Sequence, residues 1–317
     1  MRMPALARFL GLVGWLVLGV LAHEGPEHEI EELSHRMALG GESADLLLER
    51  AIEYRTLGRW EEAAADLRRA ARLAPTDPLL LRELAQAQLR GGRPDEAMGT
   101  LRQALRIPDL PGPERAAILM IRCEAHAIGR AWSRALSDCD EALRGDPMLV
   151  AAYLERSALQ RRLGRARERI SGLEEGVRRT GAGVLEVERV EALLDAGQWT
   201  KALRWIQAEI ESARLTGTWR IRRARALQGL GRRAEAEVDL RGAIAEIDRR
   251  MPTDRPEVAL LLDRALAWEL LGELGPARAD YTAAAGSGAG EPAEEGLRRL
   301  RPSGSRRAVG PSGRPGG

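Results

Sequence analysis

The stretch LLLERAIEYRTLGRWEEAAADLRRAARLAPTDP, residues 46–78, decides how the rest of the chain is read. Leu47, Ala51, Tyr54 and Leu57 fall at i, i+4, i+7 and i+10, which puts them on one face of an α-helix. Gly58 ends that helix. A second begins near Glu61, with Ala63, Leu67, Ala70 and Leu73 on its apolar face and Pro75 and Pro78 blocking its continuation. Two helices joined by three or four residues run antiparallel, and the small Ala51 and Ala63 let their backbones come close. One such hairpin cannot bury both of its faces, whereas a stack of them can.

The chain supplies the stack. Anchored on the turn glycine, copies are centred at Gly58, Gly92, Gly129, Gly164, Gly197, Gly231 and Gly272, with spacings of 34, 37, 35, 33, 34 and 41 residues. The pattern of small residues, glycine and proline, standing here as Ala51, Gly58, Ala63, Ala70 and Pro75, resembles the tetratricopeptide repeat over residues 44–285. That resemblance implies an all-α, right-handed solenoid of about seven helix-turn-helix repeats. It also implies that the first helices line a concave groove for a protein or peptide partner. The lysine and asparagine carboxylate clamp of some chaperone adaptors in the family has no match here.

Outside the array the text changes. Arg2 and Arg8 precede an apolar run from Phe9 to Leu21, and Val20-Leu21-Ala22 then gives way to a polar segment. Residues 1–22 read as a signal peptide cleaved after Ala22, so the mature protein is expected to be periplasmic or secreted, with no stable membrane insertion. The alternative is an uncleaved membrane anchor, although about fourteen apolar residues are short for a span. Removing Arg2 and Arg8 takes the basic count from 49 to 47, equal to the acidic count of 47, so global charge offers no support for nucleic-acid binding. Lys201 is the only lysine, a bias attributed to codon composition.

Residues 23–43 form an acidic lead-in with a capping helix, carrying six glutamates and three of the four histidines. A helix starting near Pro26 puts His28, Glu31 or Glu32, and His35 on one face, and cleavage makes His23 the new amino terminus. That spacing suits a divalent metal, which gives a metal-handling module as the alternative function; a solvated acidic helix is the plainer reading. At the other end, residues 286–317 read as a short helix from Glu291 to Leu300 that shields the last hairpin, followed by a Gly/Pro/Arg tail of disordered composition.

Within the array a second regularity appears. Arg50 and Asp66 are sixteen apart, as are Arg122 and Asp138, Arg223 and Asp239, and Arg264 and Asp280. Each pair has its Arg on the first helix of a hairpin and its Asp on the second, which predicts an interhelical ion pair that fixes register. The second repeat lacks both partners, with Leu84 against Thr100, and Arg156 and Arg189 keep only the Arg half. Cys123 and Cys139 are also sixteen apart, at the places of Ala51 and Leu67. Two readings stand: a disulfide between helices, or two buried thiols, since helix axes 8–10 Å apart often exceed disulfide reach.

Trp60, Trp132 and Trp199 follow the turn residue and are expected to plug the gap at each turn, whereas Trp205, Trp219 and Trp268 follow no shared place. His126 stands where Tyr54 does and is expected to be a packing residue. The fourth repeat is the weakest copy, with Arg169 at the place of Ala63 and Gly172 and Gly176 inside its second helix, so a hinge is expected around residues 165–183.

Residues of the first helices that face away from the packing side should line the groove. They include Arg55, Arg82, Arg90, Arg161, Arg162 and Arg225 against Glu124, Glu191, Asp195 and Glu269, which predicts a mixed groove, more basic toward the amino-terminal half and biased to acidic peptides. No catalytic motif, cofactor fingerprint or nucleophile constellation appears. The expectation is therefore a non-enzymatic exported scaffold without cofactor that binds a protein or peptide, and not nucleic acid.

Overall fold

The computed structural model describes residues 25–252 and 256–301, and across them run sixteen α-helices and no strand. The leader, His23 and residues 302–317 lie outside the described residues. The chain forms two compact units, one ending at Gly164 and the other beginning at Arg165.

The amino-terminal unit holds α1 (Pro26–Gly40), the hairpins α2/α3 (Ala44–Thr56, Trp60–Leu73), α4/α5 (Pro78–Arg90, Pro94–Ala104) and α6/α7 (Gly112–Ile128, Trp132–Gly145), and then α8 (Val150–Arg162). Pro26 sits in the first turn of α1 beside Glu27 and Glu29, where a missing N–H costs nothing and negative charge meets the positive end of the helix dipole. Ile30, Leu33 and Met37 form its buried stripe, and Met37 packs on Leu47 and Ala51. Ser43 caps α2 by accepting from the Leu46 N–H, and Asp77 caps α4 by accepting from the Leu79 and Leu80 N–H groups. Ala51, Ala63 and Ala70 are fully buried, and the absence of larger side chains there lets the two helices of the hairpin lie close.

Each turn closes in one way. The Arg59 N–H donates back to the Tyr54 carbonyl at 2.8 Å, with Gly58 between them at φ +70°, a left-handed conformation that glycine adopts without penalty. The same closure recurs from Arg93 to Gln88 and from Ala131 to His126. In that third turn the left-handed residue is Arg130, at φ +55°, while Gly129 has φ −74°. The glycine count therefore placed this turn one residue early. The error was visible in the sequence, because Cys123 and Cys139 align with Ala51 and Leu67 only if Arg130 aligns with Gly58.

The carboxy-terminal unit holds α9 (Ala166–Thr180), α10/α11 (Gly183–Asp195, Trp199–Ser212), α12/α13 (Gly217–Gly229, Arg233–Arg250), α14/α15 (Val258–Leu271, Leu274–Gly286) and the short α16 (Glu291–Arg299). Arg169, at the place of a small residue, is only 3 % exposed and is satisfied by Glu188 at 2.7 Å and Asp195 at 2.8 Å. Helix α16 lies against the last hairpin. Its Gly296 faces the Tyr281 ring so closely that a Cβ there would stand 2.5 Å away, and Arg299 forks onto Glu269 at 2.8 and 2.9 Å.

Candidate functional site

All four sixteen-apart pairs are in contact, and all are two-pronged. Arg50 reaches Asp66 through Nε and Nη2 at 2.7 Å each, Arg223 reaches Asp239 at 2.6 and 2.5 Å, and Arg264 reaches Asp280 at 2.8 Å twice. Arg122 reaches Asp138 at 3.0 and 2.5 Å. The aspartates are 3–7 % exposed. Hydrogen bonding to Asp66, Asp239 and Asp280 holds the Arg50, Arg223 and Arg264 guanidinium groups above their ordinary range.

The remaining guanidinium nitrogen carries information that the spacing of the pairs did not reveal. Nη1 of Arg50 donates to Ser34 Oγ at 2.8 Å, that of Arg223 to Gln207 at 3.0 Å, and that of Arg264 to Asp248 at 2.6 Å. Each acceptor lies sixteen residues before its arginine, on the helix preceding the hairpin. Arg156 does the same toward Asp140 at 3.3 Å. The arginine is thus a three-helix clamp, holding its own hairpin with two nitrogens and the previous helix with the third. The sequence carries this reach at the same interval of sixteen, counted backward from each arginine. Arg122 counts back to Arg106, which is no acceptor, because the longer PDLPGPER connection breaks the period there.

The fifth hairpin departs from the rule. Sixteen residues after Arg189 stands Trp205, at the place of the aspartate, and the guanidinium carbon lies 3.6 Å from the ring centroid. Trp205 thus takes the aspartate place, while Trp219 and Trp268 stand at other places in their repeats. Arg189 is 5 % exposed, its Nε and Nη2 have no hydrogen-bond partner, and burial pushes its pKa down. The ring supplies cation–π attraction but accepts no directed hydrogen bond of the strength a carboxylate gives.

Trp60, Trp132 and Trp199 also act beyond their own turns. Each opens a second helix and leans on the next hairpin: Trp60 against Gly91, Trp132 beneath Arg162 at 5.1 Å, and Trp199 against Gly229, where an added Cβ would stand 2.4 Å from the ring. They are wedges between successive hairpins as much as plugs within one.

Beside two of these wedges the amino-terminal unit opens a channel. A pocket of roughly 460 Å³ lies among Leu48, Ile52, Trp60 and Leu79. A second, of roughly 540 Å³, shares Arg55, Trp60 and Glu83 with it and extends to Gln86 and Ile121. A third, also roughly 540 Å³, shares Gln86 and Ile121 and continues past Glu124, Trp132 and Glu155 to Arg162. Shared lining residues make the three run into one another along α2, α4, α6 and α8. Ile52 and Ile128 are 43 % and 57 % exposed on its walls.

The basic bias expected of this channel is largely cancelled. Arg55 and Arg82 both pair with Glu83, and Arg90 pairs with Glu124 at 3.3 Å. Arg162 lies over Trp132, and Arg161 is exposed near the end of α8. Burial, followed by the nearby Glu124, pushes the Glu155 carboxyl above its ordinary range. In the carboxy-terminal unit Arg225 is neutralised by Glu191 at 2.5 Å and Asp195 at 3.3 Å. Glu269 is engaged by Arg299 and by the Tyr281 hydroxyl, which donates to it at 2.8 Å. Facing groups of opposite sign were in the sequence, but which arginine meets which glutamate depends on the distance between adjacent first helices, which the repeat period does not give.

His126 is partly buried, with Nε2 3.8 Å from Asp138, and burial pushes its pKa down. Among the described residues no group of three or more His, Cys, Asp or Glu side chains gathers as a metal-ligand set, and the His23 candidate lies outside them. No helix among the described residues is long and apolar enough to cross a membrane.

A family model described as tetratricopeptide repeat matches residues 54–121. A tetratricopeptide repeat protein from Parabacteroides merdae is similar in structure, with TM-score 0.58 at 20% identity, covering 81% of this chain and 98% of that one. The C-terminal part of a TPR repeat-containing protein from Cytophaga hutchinsonii gives 0.56 at 14% identity over 79% and 99% of the two chains. Pseudomonas aeruginosa pilF gives 0.51 at 15% identity over 73% and 97%. Comparison with curated proteins finds no match. The matched segment is a tetratricopeptide repeat, and the described residues share the all-α solenoid architecture of tetratricopeptide-repeat proteins, a fold that suggests a scaffold for protein–protein interaction.

Proposed function

We propose that this protein is an exported, non-enzymatic scaffold that grips a protein or peptide along the first-helix face of its amino-terminal unit. The supporting observation is the channel along α2, α4, α6 and α8. Its charged groups are largely paired with one another, so it offers apolar wall rather than one dominant sign of charge. Such a surface suits a segment with apolar anchors and mixed charge. Ile52→Glu and Ile128→Glu alter exposed wall positions and should leave the hairpins folded. Using the mature protein as bait on the envelope fraction, the recovered partner should bind each variant at least about tenfold more weakly. Unchanged affinity in both variants, with unchanged melting temperature, would overturn the groove assignment.

Export is supported by the leader alone. Amino-terminal sequencing of the protein isolated from that fraction should begin at His23. A chain that keeps Met1–Ala22 instead would favour the membrane-anchored alternative.

A further inference from the structure

The two helices of the third hairpin come into backbone contact at one end. A Cβ built on Gly112, at the start of α6, would stand 2.5 Å from the Gly145 carbonyl oxygen at the end of α7, and one built on Gly145 would stand 2.8 Å from that of Gly112. At this end the helices touch backbone to backbone. Farther along the two helices Ala116, Ala135 and Ala142 are fully buried small residues. This closeness overrides the separation usual for packed helices, which argued from sequence against a disulfide.

Cys123 and Cys139 sit in that interface, both fully buried, with their sulfur atoms 2.9 Å apart. A disulfide bond is about 2.05 Å long, so closing the pair requires a shift of under about 1 Å shared by two side chains. We infer that Cys123 and Cys139 are a cross-linking site that covalently closes the α6/α7 hairpin when the chain folds in the presence of a small disulfide oxidant. The inference rests on the geometry of the hairpin and is independent of the groove and export readings.

The chemistry is two successive thiol–disulfide exchanges with an oxidant of the glutathione disulfide class. One cysteine thiolate attacks a sulfur of the oxidant, forming a mixed disulfide and releasing one glutathione. The second cysteine attacks the protein sulfur of that mixed disulfide and releases the other. Two protons and two electrons leave the protein and end on two glutathione thiols. The hydrogen bond to Cys139, followed by burial, pushes the Cys123 thiol far up, and the folded hairpin offers neither sulfur to solvent. Oxidation therefore belongs to folding, before the interface closes, or to transient opening of the hairpin. The consequence reaches the channel, because α6 carries Met120, Ile121 and Glu124 on its wall. The cross-link ties that wall to α7.

The test is to unfold and reduce the full mature chain, refold it with mixed reduced and oxidised glutathione, block remaining thiols by alkylation, and measure intact mass without reductant. The expected product is a monomer lighter by two hydrogens, with no alkyl group, and with one peptide linking residues 123 and 139. It should melt several degrees above the same protein after reduction, since closing a loop of this size restricts the unfolded chain. Cys123→Ser and Cys139→Ser should each leave one alkylatable thiol and remove the redox dependence of the melting temperature. Native reduced protein exposed to the same oxidant should react many times more slowly than refolding chain. Two alkylated cysteines after refolding, a persistent glutathione adduct, or a disulfide between chains would each overturn the assignment.

Discussion

The first and fifth hairpins are built to one plan and differ at the residue that faces the arginine. In the first, Arg50 forks onto the buried Asp66 and spends its third nitrogen on Ser34 of α1, so every face of a charged group inside a helical stack is satisfied. In the fifth, Arg189 is as deeply placed, yet Trp205 stands where the aspartate should be and two of its nitrogens have no partner. The contrast argues that the arginine does not stabilise a hairpin by its presence alone. A buried guanidinium helps hold a hairpin only when its desolvation is offset by a carboxylate and a full set of hydrogen bonds.

The largest effect expected from breaking this arrangement is at Asp66. Asp66→Ala strands the Arg50 charge in a site that is 14 % exposed on the side chain, and should cost roughly 3–5 kcal/mol in denaturant unfolding. Asp239→Ala should behave alike, whereas a surface substitution such as Glu237→Ala should stay within about 0.5 kcal/mol. Equal, small shifts would mean that the clamps are incidental.

The wedges give a second contrast between the same two hairpins. Trp199 of the fifth leaves no room at Gly229, where a Cβ would stand 2.4 Å from the indole, whereas the nearest atom of Trp60 to a Cβ at Gly91 is 3.4 Å away. Gly229→Ala should therefore cost about 1–3 kcal/mol through overpacking. Gly91→Ala should cost less than half as much, as read by melting temperature.

Native-state amide exchange sharpens the comparison without mutation. Helices α10 and α11 should open with lower free energy than α2 and α3, by about 1–2 kcal/mol, because each unsatisfied buried donor in the fifth hairpin carries a cost the first avoids. Residues 165–183, with Gly172 and Gly176 inside α9, should exchange at least as readily. Uniform protection along the chain would remove the distinction. The smallest expected effect is at a turn. Gly58 and Gly197 take left-handed φ freely, but the third turn uses Arg130 for the same task, so Arg130→Gly should stabilise by roughly 0.5–1 kcal/mol.

Hairpins and helix order were legible in the sequence because apolar spacing, turn residues and stop signals repeat, and local signals that agree across many copies outweigh the ambiguity of one. The partners of Arg50, Arg122, Arg223 and Arg264 within their hairpins were legible for the same reason. What stayed hidden lies between repeats. The backward reach to Ser34, Gln207 and Asp248 and the Trp199–Gly229 contact depend on how far one hairpin stands from the next. The pairing of Arg55 and Arg82 with Glu83 depends on that distance too. Side-chain volume at the interface sets it, and periodicity does not. Within the third hairpin, the backbone contact of Gly112 with Gly145 likewise left no periodic signal.

The most direct test of the clamp is a matched pair of substitutions, Arg50→Leu and Arg189→Leu, each followed by equilibrium denaturation. The account predicts opposite signs. Arg50→Leu should lose about 3 kcal/mol or more by leaving Asp66 buried and unpaired, whereas Arg189→Leu should be neutral or stabilise by about 1 kcal/mol by removing a buried charge with unmet donors. Losses of similar size at both sites would contradict it, because they would mean that the guanidinium stabilises each hairpin regardless of the carboxylate.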